Sequence, residues 1–84
     1  MKNMHSILIA DDEKHVRNDI IQSMHWSDYG FYIIGEAENG RQALQMIQDL
    51  QPDVLITDIK MPFANGLKLI ESAHQIKPDI QCVI

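Results

Sequence analysis

Ser6-Ile7-Leu8-Ile9-Ala10-Asp11-Asp12-Glu13 carries the strongest fold signal in the chain. Five short, mostly apolar residues, rich in branched side chains, stop abruptly on three acids. That is how a strand buried on both faces ends at a polar site. A first strand is therefore expected at 6–11. The same logic returns in Asp53-Val54-Leu55-Ile56-Thr57, which ends on Asp58 and gives a third strand at 53–57.

The segments between these two runs read as helix, strand and helix. Val16, Ile20, Ile21 and Met24 fall on one helical face, which predicts a helix over 13–25. Trp26-Ser27-Asp28-Tyr29-Gly30 breaks that pattern, and Phe31 to Gly35 reads as the second strand. After Asn39-Gly40, the residues Ala43, Leu44, Ile47 and Leu50 predict a helix over 40–51, stopped by Pro52. Met61-Pro62-Phe63-Ala64-Asn65-Gly66 is turn chemistry. Leu67, Leu69, Ile70, Ala73 and Ile76 then predict a third helix ending before Pro78, and Ile80 to Ile84 begins a fourth strand. Strand and helix alternate at about 25 residues per unit, which argues for parallel strands joined by right-handed helical crossovers.

Composition narrows the function classes. The 84 residues bound the chain to one small domain, and 45% hydrophobic with 23% charged residues is ordinary for a folded one. Seven Lys and Arg against twelve Asp and Glu leave a net charge of −5, which argues against direct nucleic acid binding and against anionic membranes. The longest unbroken apolar run, Ile7 to Ala10, is far short of a membrane span or a signal-peptide core, so a cytoplasmic location is expected. Cys82 is the single cysteine; it excludes an internal disulfide and reads as a small apolar residue buried in a central strand. His5, His15, His25 and His74 show no ligand spacing.

In a parallel α/β sheet, ligands bind beyond the carboxyl ends of the strands. Asp11, Asp12 and Asp58 all fall there. If the first and third strands are neighbours, about 4.8 Å apart, the three carboxylates share one pocket and need a proton or a cation to relieve their repulsion. A hard divalent ion such as Mg2+, which takes oxygen ligands and keeps positions open for a phosphate oxygen, answers that need. Each acidic feature also has a plainer reading. Asp11-Asp12-Glu13 suits the start of a helix, and Asp58 suits a turn. Their convergence, in a chain without a glycine-rich phosphate loop, favours a metal-dependent phosphate site.

These residues carry a resemblance. Ile7-Leu8-Ile9-Ala10-Asp11-Asp12-Glu13, Gly35-Glu36-Ala37-Glu38-Asn39-Gly40, and Pro52 through Asp58 to Met61-Pro62 with Asn65-Gly66-Leu67 together resemble the receiver domain of bacterial two-component response regulators. The region around Trp26 and Gly30-Phe31 is similar to receivers that precede an AraC-type helix-turn-helix domain, whose role is transcription regulation. The resemblance implies a flavodoxin-like (CheY-like) α/β sheet, incomplete here as β-α-β-α-β-α-β, with residues 1–84 forming a partial receiver domain. It implies that Asp58 is the phosphoacceptor, taking a phosphoryl group from a sensor histidine kinase in a Mg2+-dependent reaction. Asp12 and Asp58 would ligate Mg2+ directly, Asp11 through a bound water, and Lys60 through its backbone carbonyl; Glu13 would belong to the first turn of the helix. The Lys60 side chain would tune water access to the acyl phosphate or stand as a solvated lysine. Met61-Pro62 and Asn65-Gly66 would shape the loop, and Trp26 and Tyr29 would pack at the far end of the sheet.

The family also uses a Ser or Thr after the fourth strand and a Lys at the end of a fifth, and both positions lie past Ile84. A non-switching interaction fragment that keeps the acidic site is therefore the competing expectation. Beyond accepting and losing its own phosphoryl group, no enzymatic turnover is expected. A small magnesium phosphohydrolase of the haloacid-dehalogenase kind is disfavoured, because Asp58-Ile59-Lys60 lacks the second aspartate two residues on. An unpaired, apolar fourth strand is expected to promote self-association.

Overall fold

The computed structural model describes residues 4–58 and 66–84. Its elements are β1 (His5–Ala10), α1 (Lys14–Gln22), a 3-10 helix (Trp26–Tyr29), β2 (Phe31–Ala37), α2 (Gly40–Leu50), β3 (Val54–Thr57), α3 (Gly66–Ile76) and β4 (Gln81–Val83). The strands form one sheet in the order β2-β1-β3-β4, and every pairing is parallel. The expected alternation and the neighbouring of β1 and β3 are both present.

Right-handed crossovers explain the layering. The step from β1 to β2 runs in one direction across the sheet, whereas the steps into β3 and β4 run in the other, so α1 covers one face and α2 and α3 the opposite one. Side chains alternate accordingly. Leu8, Ala10, Ala37 and Leu55 meet Ala43 and Ile47 of α2 and Leu69 and Ala73 of α3 in a fully buried core. Ile7 and Ile9 are buried on the α1 face. On that face, Ile7, Trp26, Phe31, Val54, Ile56 and Val83 line a groove of about 640 Å3 toward the start of the strands.

Several boundaries differ from the sequence reading. Helix α1 ends at Gln22 rather than 25, because the indole Nε1 of Trp26 donates to the carbonyls of Ile20 and Ile21 (3.3 and 3.0 Å) and closes the helix. Met24 consequently leaves the helical face and is 36% exposed. Trp26 is half-buried in this capping role, while Tyr29 is exposed rather than packed. Gly30, at φ 82°, closes the 3-10 helix in the left-handed region that glycine tolerates. Glu13 is the N-cap of α1 and not part of its first turn. Cys82 sits on an edge strand and is half-buried, not central, because β4 has a neighbour on one side only among the described residues. Burial there pushes its thiol up.

The β1 and β2 register slips between Ile7 and Leu8, where Ile34 is the extra residue. Gly35 follows at a close approach: a Cβ on it would lie 2.5 Å from the Met46 methyl. Helix α2 opens on Asn39, whose side chain accepts from the Gln42 amide (2.8 Å), while the Gln42 side chain accepts from the Glu38 amide (2.7 Å).

At the start of the strands, Asp53 staples three elements. Its carboxylate accepts from the Ser6 amide (2.9 Å) and from Lys77 Nζ (3.1 Å), and Lys77 also donates to the carbonyls of Gln51 and Pro52. The Ser6 amide first, and Lys77 second, hold the Asp53 carboxyl below the usual aspartate range. A carboxyl with a lowered folded pKa stabilises the protein above its unfolded pKa, and that contribution fades as the pH falls through the folded value. Asp53→Asn is expected to lower stability at pH 7 by about 1 kcal/mol or less, since the carboxylate is 42% exposed and solvent-screened. Thermal unfolding of both proteins from pH 7 to pH 2 should show the difference shrinking toward zero at the acid end.

Candidate functional site

The pairing of β1 with β3 sets the site. Its register runs Ile7 with Val54 through Ala10 with Thr57, so the chains leave the sheet side by side and the next residues are Asp11 and Asp58. Two further backbone bonds hold these exits: the Asp11 amide donates to the Ala37 carbonyl (3.0 Å) and the Asp58 amide to the Ala10 carbonyl (3.2 Å). Thr57, buried, donates its hydroxyl to the Asp58 carbonyl (3.1 Å).

The three expected carboxylates come together. One oxygen from each of Asp11, Asp12 and Asp58 can be chosen so that all lie within 4.8 Å of one another, with Asp11 buried and the other two exposed. A pocket of about 230 Å3 opens beside them, lined by Ala10, Asp11, Ile20, Ile56, Thr57, Asp58 and Ile84. Lys60, expected to offer its backbone carbonyl, lies outside the described residues, as do Met61, Pro62 and Asn65.

Helix capping does not account for the cluster. Asp11 Oδ1 accepts from the Glu13 amide (2.9 Å), a local turn that precedes the helix. The N-cap itself, Glu13, makes no side-chain capping bond. An all-carboxylate donor set open to solvent on one side is the chemistry of a hard divalent cation, and it leaves room for further oxygen ligands. The residues present therefore fit Mg2+.

Two residues of the site escape a reading by motif. Arg17, on α1, is only 9% exposed; its Nη1 donates to the Asp11 carbonyl (2.7 Å) and its Nε to Glu36 Oε1 (3.0 Å). The signal was present in the sequence, because Arg17 stands at helical spacing from Ile20, Ile21 and Met24 and so places a charge inside an apolar stripe. Glu36 ends up beside it because β2 continues to Ala37, two residues past the expected end. None of the four histidines joins a candidate ligand group among the described residues: His5, His15 and His25 face Asp53, Glu13 and Asp28, and His74 Nε2 lies 3.0 Å from the Ile80 carbonyl.

Comparison with known proteins agrees with this geometry. The family model of the response regulator receiver domain matches residues 7–84. The chain is 37% identical over 81 residues to the uncharacterized transcriptional regulatory protein YesN of Bacillus subtilis, covering 96% of this chain and 22% of that protein. It is 43% identical over 72 residues to the transcriptional regulatory protein HptR of Staphylococcus aureus, covering 84% of this chain and 29% of that one. Among solved structures, the receiver (REC) domain of AraT, a response regulator from Geobacillus stearothermophilus, superposes with a TM-score of 0.90 at 34% identity, over 94% of this chain and 61% of that one. The two component transcriptional regulator AraC from Clostridium phytofermentans gives 0.87 at 35%, over 93% and 60%. The chain thus spans between a fifth and a third of these curated relatives and about three fifths of these solved chains.

Crowded carboxylates cost stability when no cation is present. Asp12→Asn is expected to raise the thermal midpoint in chelator by roughly 2–6 °C and to gain less on addition of Mg2+ than the unsubstituted chain does. Thermal melts with and without Mg2+ check both expectations.

Proposed function

Because the chain belongs to the response regulator receiver domain family, we propose that it is the phosphoacceptor module of a two-component system and that Asp58 is the residue phosphorylated. The observation that carries this reading is the meeting of Asp11, Asp12 and Asp58 at the carboxyl end of the central strands. Asp58 is exposed at the rim of the pocket, where a donor can reach it, and its backbone is fixed by the ladder and by Thr57. An oxygen of its carboxylate attacks the phosphorus of a phosphohistidine on a sensor kinase. The O–P bond forms as the N–P bond breaks, and the imidazole leaves.

Asp12 and Asp58 are proposed to hold Mg2+ directly, Asp11 through a bound water, and Lys60 through its backbone carbonyl. When bound, Mg2+ neutralises charge on the transferring phosphoryl oxygens and on the carboxylates that would otherwise repel them. Asp11 is the buried member of the set, its carboxylate accepting from the Glu13 amide; Asp12 follows it after β1, and Asp58 follows β3. The chain's own chemistry is confined to gaining and losing this phosphoryl group. The module is proposed to control a linked transcription-regulating domain of the AraC type, and nucleic acid contact would then belong to that domain and not to this acidic one. No helix among the described residues is long and apolar enough to cross a membrane, which is compatible with the cytoplasmic location proposed for such a regulator.

The 84-residue chain is further proposed to self-associate along β4, where Val83 and Ile84 are 50% and 63% exposed. Light scattering at high concentration should report a species larger than the monomer, and a monodisperse folded monomer would contradict it.

Incubation with acetyl phosphate and Mg2+, followed by intact-mass measurement, tests the main reading. A gain of one phosphoryl group is expected, lost in chelator and absent in Asp58→Asn. No gain at saturating donor would overturn the phosphoacceptor role and leave an interaction module.

A further inference from the structure

Arg17 is expensive to keep. A guanidinium removed from water must recover its hydration through charged or polar partners, and a well-packed apolar side chain at the same position often serves stability equally well. Here a residue only 9% exposed has one carboxylate partner, Glu36, itself 38% exposed on its side chain, and one backbone carbonyl, that of Asp11. The two acceptors belong to different strands. Glu36 lies near the end of β2, Asp11 follows β1, and Arg17 reaches both from the first turns of α1. One side chain therefore ties together the three segments that enclose the Asp11-Asp12 arm.

That arm is short. Only Asp11, Asp12 and Glu13 connect β1 to α1, and two of the bonds that shape it are the Asp11 amide to the Ala37 carbonyl and the Glu13 amide to Asp11 Oδ1. Neither fixes the peptide plane that joins Asp11 to Asp12. The bond from Arg17 Nη1 to the Asp11 carbonyl does, because that carbonyl and the Asp12 amide share one plane. The orientation of that plane decides where the Asp12 carboxylate projects.

We propose that Arg17 is a positioning residue that holds the Asp11-Asp12 arm in its cation-binding geometry, with Glu36 holding Arg17 in turn. The inference rests on the reading of the site as a divalent-cation site. It makes a prediction of unusual sign. As a bare positive charge held against the Asp11 carbonyl, Arg17 opposes cation binding at the neighbouring carboxylates, so removing it would tighten Mg2+. As a clamp, Arg17 favours binding, so removing it weakens Mg2+. Its charge and its hydrogen bonds thus act in opposite directions, and the sign of the change tells which prevails.

The test uses the 84-residue chain and its variants Arg17→Met, Arg17→Lys and Glu36→Gln, each confirmed as folded by thermal unfolding. Mg2+ affinity is read by calorimetry at constant ionic strength, and amide hydrogen exchange at Asp11 and Glu13 is read in chelator. Arg17→Met should weaken Mg2+ at least about tenfold, the scale on which groups that orient metal ligands act. It should also speed exchange at both amides while leaving those of α2 unchanged. Arg17→Lys, which keeps the charge and a single donor head without the planar fork, should recover part of the loss. Unchanged or tighter Mg2+ binding by a folded Arg17→Met, or unchanged exchange at the arm, would overturn the role of Arg17. Should Arg17→Met fail to fold, Glu36→Gln decides by the same two readouts and the same criteria, with smaller changes in the same direction. Failure of the unsubstituted chain to bind Mg2+ would instead overturn the cation site on which the inference rests, and the exchange data would still show whether Arg17 orders the arm.

Discussion

The register between β1 and β3 is the constraint on which the rest of the structure depends. Pairing Ala10 with Thr57 makes the two central strands end at the same level, so the acids that follow them cannot avoid one another. A slip of one residue would turn every side chain of β3 to the other face and take Asp58 away from Asp11. The register is in turn held by burial. Leu8 and Ala10 on β1 and Leu55 on β3 are inaccessible to solvent and belong to one core with α2 and α3, so any slip would expose apolar surface and break that packing.

The consequence is a concentration of negative charge. Two unit charges 4.8 Å apart repel by about 1 kcal/mol in water and by about 3.5 kcal/mol at an effective dielectric of 20. The exposure of Asp12 and Asp58 puts their repulsion nearer the lower figure, while Asp11, buried, relies on donors. The Glu13 amide supplies one to its carboxylate, and Arg17 supplies a nearby positive charge through the Asp11 carbonyl. The opposite end of the sheet shows the contrasting case: Asp53 is answered within the chain by Ser6 and Lys77. Asp53 staples the fold through partners at the start of the strands, whereas Asp11, Asp12 and Asp58 turn carboxylate oxygens toward one another at the other end.

Much of this was legible in the residues. The two apolar runs that stop on acids announced buried parallel strands, and they did so because burial on both faces leaves little freedom in composition. The helices were legible in type and poorly legible in extent. Helix α1 stops three residues early because Trp26 folds back onto its last carbonyls, a tertiary contact that periodicity does not encode. The three aspartates were readable because strand ends are where such sheets bind ligands. Arg17 was missed because its partners are a main-chain carbonyl and a glutamate on another strand, neither at a fixed spacing from it. Cys82 is half-buried because β4 pairs with β3 alone among the described residues, which the composition of the strand does not encode.

Asp11, Asp12 and Asp58 are proposed to form one cation site. Paramagnetic broadening of backbone amide signals by substoichiometric Mn2+ tests it most directly, because the effect reports distance from the ion at every residue at once. Broadening is expected to centre on Asp11, Asp12 and Asp58, to spread to Glu13 and Thr57, and to spare the acids at the other end of the sheet, Asp53 and Asp79. Broadening centred on those distant acids, or spread evenly over the acidic surface, would contradict it.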